Sequence, residues 1–174
     1  MTDTEETEPE RKSLLQRVWQ PKSLLVLALL IAVFGMLGAM GSQLQQAQAV
    51  EDARRSALDA ARTYATDLST YDFNSLERNF SAVTANSHGQ FAEQYKEISG
   101  SLTELIRQNR AVSKGTVVSA GVAEADEQRA VVTLFVDQEI TNVNSPQPRI
   151  DRNRMQMTLV RSDSRWLIED IKLL

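Results

Sequence analysis

The chain has 174 residues, 42% hydrophobic and 24% charged, with 19 Lys+Arg against 23 Asp+Glu and a net charge of −4. That mild acidic balance argues against a nucleic-acid partner, and the absence of cysteine excludes disulfides and thiol chemistry. A single histidine leaves no Cys/His set for a zinc site.

Residues 1–22 open with the acidic run TDTEETEPE, which has no apolar period and reads as a disordered tail. Ser23 to Met40, SLLVLALLIAVFGMLGAM, carries no charge, and none follows until Glu51. Its strongly apolar part is roughly 18 residues, close to the ~20 that cross ~30 Å of hydrocarbon at ~1.5 Å per residue. In lipid such a segment must satisfy its own backbone, so it has to be helical. Ala47-Gln48-Ala49 fits a leader cleavage pattern, but the apolar run is longer than a leader's and the segment before it is long and partly acidic. The expectation is one retained transmembrane helix over residues 23–43.

Arg11, Lys12, Arg17 and Lys22 lie close before this stretch, whereas Arg54, Arg55 and Arg62 follow farther out. The positive-inside rule then puts the N-terminus in the cytoplasm and residues 44 onward on the outside. Trp19 stands at the depth of an interfacial anchor. Ala28, Ala32, Gly35, Ala39 and Ser42 recur at spacings of four and three and share one face, where small side chains let a partner helix come close. The plainer reading is that Ala and Gly are common in spans.

Residues 44–70 are rich in Ala and Gln and contain no Gly or Pro, so the span is expected to run on into a juxtamembrane helix or stalk. Leu44, Ala47, Val50, Ala57, Ala61, Tyr64 and Leu68 fall near one face of it. An extracytoplasmic domain over 71–174 follows. Asn74 with Glu77 resembles a capping box before a short helix carrying Leu76, Phe80 and Val83. Ser87 with Gln90 signals a second start, and Phe91, Tyr95, Ile98, Leu102, Leu105 and Ile106 continue at helical spacing, with a bend expected at Ser99-Gly100-Ser101.

From Lys114 the period becomes two. Strands are predicted over 116–125, 130–141, 150–161 and 165–174, with a two-proline loop at 142–148. Short turns make them antiparallel neighbours, and helices before strands give an α+β fold with helices on one face of a curved sheet of about four strands.

Four segments carry a family resemblance: Tyr71-Asp72-Phe73, Gly89-Gln90-Phe91, the run from Ala120-Gly121-Val122 through Ala130 to Gln138, and Arg165-Trp166-Leu167-Ile168. In their order and architecture they resemble the Mce-associated membrane proteins of mycobacteria and related actinobacteria. Ser87-His88 departs from the Thr-Gly pair expected before the aromatic. The resemblance implies a nuclear-transport-factor-2-like cone, similar in plan to the periplasmic subunit of type IV secretion systems. It also implies association with the permease and Mce proteins of a lipid and sterol import complex, beside membrane lipid.

The chemical inventory is thin. His88 sits in a polar connection, and no nucleophile elbow, phosphate loop or dinucleotide fingerprint is present. No catalytic, cofactor-binding or metal residue is assigned. Tyr71-Asp72 reads as a structural corner, with Tyr71 packed and Asp72 capping the next helix; proton transfer by such a pair rests on fold analogy alone. Trp166 reads as core with an indole N–H that needs a partner. Arg149, Arg152 and Arg154, with Arg161 and Arg165 nearby, read either as a solvated sheet face or as a surface for an acidic partner. The functional expectation is a non-enzymatic accessory subunit that stabilises or regulates an Mce-type importer. The alternatives are a lipid-binding or lipid-transfer cone and, less favoured, an enzyme.

Overall fold

The computed structural model describes residues 21–174, and along residues 21–42 only some of the side chains. The expected tail, with Arg11, Lys12, Arg17 and Trp19, lies outside the described residues. The elements in chain order are α1 (Pro21–Ser69), β1 (Tyr71–Asp72), α2 (Leu76–Ala85), α3 (Gly89–Asn109), β2 (Val112–Ala125), β3 (Arg129–Asn142), β4 (Ser145–Ser162) and β5 (Arg165–Leu173). The strands form one antiparallel sheet in the order β1-β2-β3-β4-β5, a curved half-barrel backed by helices. The α+β plan is as expected.

Two compact units divide the chain, Met1–Gln46 and Ala47–Leu174. In the first, Ser23–Met40 is helical as part of α1, and Leu29, Leu30, Phe34 and Met36 are exposed. Among the described residues no helix is long and apolar enough to cross a membrane.

The second unit is built on α1 from Ala47 onward. Ala53, Ala57, Ala61 and Ala65 repeat every four residues and are all 0–1% exposed. Against them lie the inward residues of the sheet: Val132, Leu134 and Val136 of β3, Met155, Met157 and Leu159 of β4, and Trp166 and Ile168 of β5. Alanine is the smallest side chain that still favours a helix, so this row lets the α1 backbone settle close to the sheet. Periodicity correctly marks Ala57 and Ala61 but misses Ala53 and Ala65, and it overrates Leu44, which is exposed. A second core cluster of Leu76, Ile106 and Ala111 joins α2 and α3 to the start of β2, with Tyr71 and Phe73 packed on it.

Several local expectations are corrected. The sheet has five strands, because Tyr71-Asp72 pairs with Val112 and Ser113. The segment read as a two-proline loop is mostly strand: β4 starts at Ser145, and only Val143 and Asn144 separate it from β3. Pro146 and Pro148 fall where the register between Ile140 and Asn142 is irregular, a place that demands no ladder N–H. The turn is closed by the Asn142 carboxamide oxygen, which accepts from the Asn144 and Ser145 amides at 2.9 and 2.8 Å.

Neither capping box forms. Both the amide and the side-chain nitrogen of Asn74 donate to Asp72 Oδ1, at 2.8 and 2.9 Å, so Asp72 closes a turn and Ser75 takes the N-cap position without a side-chain bond. Ser87 donates instead to the Val83 carbonyl, and His88 is the N-cap of α3. Helix α3 runs unbroken through Gly100; the Ser99 hydroxyl bonds back to the Lys96 carbonyl rather than interrupting the ladder. β3 alternates, so Phe135 faces out and is 44% exposed while its neighbours Leu134 and Val136 are buried.

Gly115 lies hard against Ser69 at the end of α1. A side chain there would overlap the Ser69 Cβ and press on two Ser69 backbone carbons at 3.2 and 3.3 Å. Ser69 is the last residue of α1, and its carbonyl accepts from Ser113 Oγ at 2.7 Å and Gln138 Nε2 at 3.2 Å, so it is held in place. Gly115→Ala is expected to destabilise the domain by ~1–3 kcal/mol, read as a lowered denaturation midpoint. Val118→Ala at a nearby exposed position is expected to change it little. Equal midpoints for the two variants would show that the contact is not made.

Candidate functional site

A cone of this kind offers its inner face as the natural place for a ligand, provided its own side chains leave it empty. Here they do not. Val132, Leu134, Met157, Leu159 and Ile168 are all 0% exposed beneath the alanine row. The closure is also hydrogen-bonded. Trp166 Nε1 donates to Ser56 Oγ at 2.9 Å, which meets the expected need of a buried indole, and Tyr64 Oη donates to the Trp166 carbonyl at 2.6 Å. Arg54 reaches across from α1 to the Val122 carbonyl at 3.1 Å. Sequence reasoning missed Ser56 and Arg54, since nothing local distinguishes them from other polar residues of a solvated helix.

An aromatic wall extends the interior toward α2 and α3. Phe91 stacks on Tyr95 with centroids 5.9 Å apart, and Phe80 meets Tyr95 edge-on at 6.1 Å. Burial pushes the Tyr95 hydroxyl up to about 12. Burial also raises Tyr64, with Arg165 opposing and Asp67 adding to the shift, and raises the Asp67 carboxyl. These shifts come from packing. The loop between α2 and α3 is stitched to the sheet by backbone alone: the His88 amide donates to the Ile168 carbonyl at 2.7 Å, and the Ile168 amide donates to the Asn86 carbonyl at 2.8 Å. His88 itself is exposed. Among the described residues no group of three or more His, Asp or Glu side chains could hold a metal ion.

The structure separates the three arginines grouped by sequence. Strand alternation puts Arg152 and Arg154 on the outer face of β4 and Arg149 on the other, where it pairs with Asp151 at 2.8 Å. Arg154 lies over the Phe135 ring, 5.8 Å from its centroid. Of the small-residue face, Gly35 is exposed and a Cβ there would meet nothing within 4 Å. Ala28, Ala32, Ala39 and Ser42 lie on α1, with side chains outside the described residues.

A family profile described as "Uncharacterized protein Rv1363c/MT1408-like" matches residues 22–171. The uncharacterized protein Rv1362c of Mycobacterium tuberculosis is 30% identical over 117 residues, 67% of this chain and 53% of that protein. The chain thus spans about half the length of that relative. A protein of the same organism named Outer membrane protein Rv1973 is 28% identical over 121 residues, 69% of this chain and 75% of that one. Among solved structures, CagV of Helicobacter pylori, a VirB8 homolog of a type IV secretion system, superposes with a TM-score of 0.55 at 15% identity, covering 68% of this chain and 96% of its own. An IcmL-like type IV secretion system protein of Legionella pneumophila gives 0.57 at 9% identity, covering 70% and 91%. These are likenesses of fold.

The buried phenol makes a pH prediction. An unfolded tyrosine ionises near ~10, whereas folded Tyr95 holds its proton to about 12. Between those values the unfolded chain binds fewer protons, so stability falls as pH rises. Tyr95→Phe is expected to flatten that loss between pH about 10 and about 12, measured as unfolding midpoint against pH. An unchanged slope would assign the loss to Tyr64 and Tyr71, which burial also raises.

Proposed function

The chain belongs to the Rv1363c/MT1408-like family, and from that footing we propose that it is a non-enzymatic accessory subunit of an Mce-type lipid and sterol import complex, which it stabilises or regulates. The association with Mce and permease subunits rests on the resemblance carried by Tyr71-Asp72-Phe73, Gly89-Gln90-Phe91, the β2–β3 run and Arg165-Trp166-Leu167-Ile168. In this reading Ser23–Met40 is a single inner-membrane span, the N-terminus is cytoplasmic, and the half-barrel stands in the periplasm beside membrane lipid.

The observation that carries the accessory form of the reading is the filled inner face. A carrier needs an apolar void, and an enzyme of this fold needs a cleft for its substrate. Here the row from Ala53 to Ala65 packs directly on the inward side chains, so what the domain offers is surface. Surface and anchor together fit a part that holds other subunits in place. The type IV secretion proteins of similar fold add an analogy and no more.

The test is affinity purification of the full-length tagged protein from gently solubilised native membranes, with mass spectrometry of what accompanies it. Mce and permease subunits are expected at near-stoichiometric levels. Gly35→Leu is expected to reduce them, because a bulky side chain on the small-residue face keeps a docked helix from coming close. Recovery of the protein alone, or with unrelated envelope proteins, would sink the transporter reading. Uptake of stoichiometric lipid by the delipidated protein would overturn its non-carrier form.

A further inference from the structure

We propose that the open edge of β4 beside α3 takes up an extended segment of a partner protein as an added strand, with apolar side chains toward α3 and acidic ones on the outer face. β4 has 18 residues and β5 only 9. Their pairing ends at Met155 opposite Leu173, with the Leu174 amide donating to the Arg154 carbonyl at 2.9 Å. From Ser145 to Asn153, β4 keeps β3 on one side and, among the described residues, has no strand on the other. Backbone groups turn to alternate sides along an antiparallel strand. Arg154 turns its carbonyl toward β5, so Ile150 and Arg152 turn both N–H and C=O to the open side. Pro146 and Pro148 share that side and have no N–H to give. They blunt the edge next to the turn and leave it open over Ile150 and Arg152.

A helix walls this gap. α3 packs on β5 and ends at the β3–β4 turn, where the Val143 amide donates to the Asn109 carbonyl at 3.0 Å. Its second half therefore runs along the part of β4 that β5 does not reach. Phe91, Leu102 and Ile106 of α3 are packed in the two cores. Ile98 and Leu105, seven residues apart on one side of the helix, are left 54% and 57% exposed. Leu173 shares a face with buried Met155 and is still 75% exposed. A free strand edge beside an apolar helix is where an extended peptide gains main-chain hydrogen bonds and side-chain packing together. The charges set the outer side of that peptide. Arg152 and Arg154 stand outward at the gap, with Asp137 opposite Arg152 in β3 and Arg154 over the Phe135 ring. Among the described residues no ion pair holds either arginine. On the inward side Arg149 and Asp151 neutralise each other at 2.8 Å. A segment that alternates apolar and acidic residues meets the apolar wall and the outward arginines at once.

The inference is independent of the transporter reading, because it concerns the form of a partner's segment and its test needs no native complex. Full-length protein in detergent is titrated with a seven-residue peptide that alternates valine with glutamate, and with its counterpart carrying lysine for glutamate. The glutamate peptide is expected to bind and to slow hydrogen exchange at the Ile150 and Arg152 amides. The lysine peptide is expected to bind about tenfold or more weakly, and Arg152→Glu to reverse the preference. Ile150→Pro removes a donor that β3 does not use, so it should weaken binding about tenfold or more while the denaturation midpoint holds. Leu105→Glu, on the exposed helix wall, should weaken binding in the same way, and Val118→Glu, exposed on β2, should leave it as it is. Binding of neither peptide, equal binding of both, or binding that leaves exchange at Ile150 and Arg152 unchanged would overturn the proposal.

Discussion

The close packing of one helix on one sheet governs this domain. Ala53, Ala57, Ala61 and Ala65 form a row with almost no side-chain volume, and the half-barrel curves around it. Close packing of this kind tolerates no spare methylene, which is why the same region contains Gly115 hard against Ser69. The polar seams follow from the same approach. With the helix this near, Ser56 reaches the Trp166 indole, Tyr64 reaches the Trp166 carbonyl, and Arg54 reaches the free side of β2. Each bond satisfies a group that the packing would otherwise strand.

Filling the inner face shifts the functional question outward. A fold whose concavity is occupied by its own helix has its exposed surfaces left to work with, and these are of unlike character. Inside, every large residue of β3 and β4 at the helix contact is aliphatic or methionine. Outside, β3 carries Phe135, Asp137 and Glu139, and β4 carries Arg152 and Arg154. The proposed accessory role draws on the inner face, which the alanine row of α1 fills.

The two cores are tied by economical means. Phe91 belongs to the cluster under α1, Phe80 to the cluster of α2 and α3, and Tyr95 touches both. The α2–α3 loop adds backbone bonds to β5 near Ile168, so the helical layer is fastened to an edge strand that would otherwise present unpaired amides. At its other end α3 finishes on Arg110 in the left-handed region, φ 45°, which turns the chain into β2.

Much of the plan was legible in the sequence because it rests on period. The alternation at Val132, Leu134 and Val136 and at Met155, Met157 and Leu159, and the helical spacing of Leu102 and Ile106, are consequences of backbone geometry and show in one dimension. The need of Trp166 for a hydrogen-bond partner was equally plain, since it follows from the side chain itself. What the sequence by itself could not decide was everything set by distance across the fold. Alanines at 53 and 65 carry too little apolar signal to be marked as core, and their burial depends on what packs opposite. Asn74 and Ser87 have capping chemistry, but Asp72 and the Val83 carbonyl take their hydrogen bonds instead. Pro146 and Pro148 forbid a regular ladder, and only the register showed an irregular site able to hold them. The arginines are neighbours in number, but strand parity sends Arg149 to one face and Arg152 and Arg154 to the other. Local chemistry is written residue by residue, whereas partners are chosen by proximity, and proximity exists only once the chain has folded.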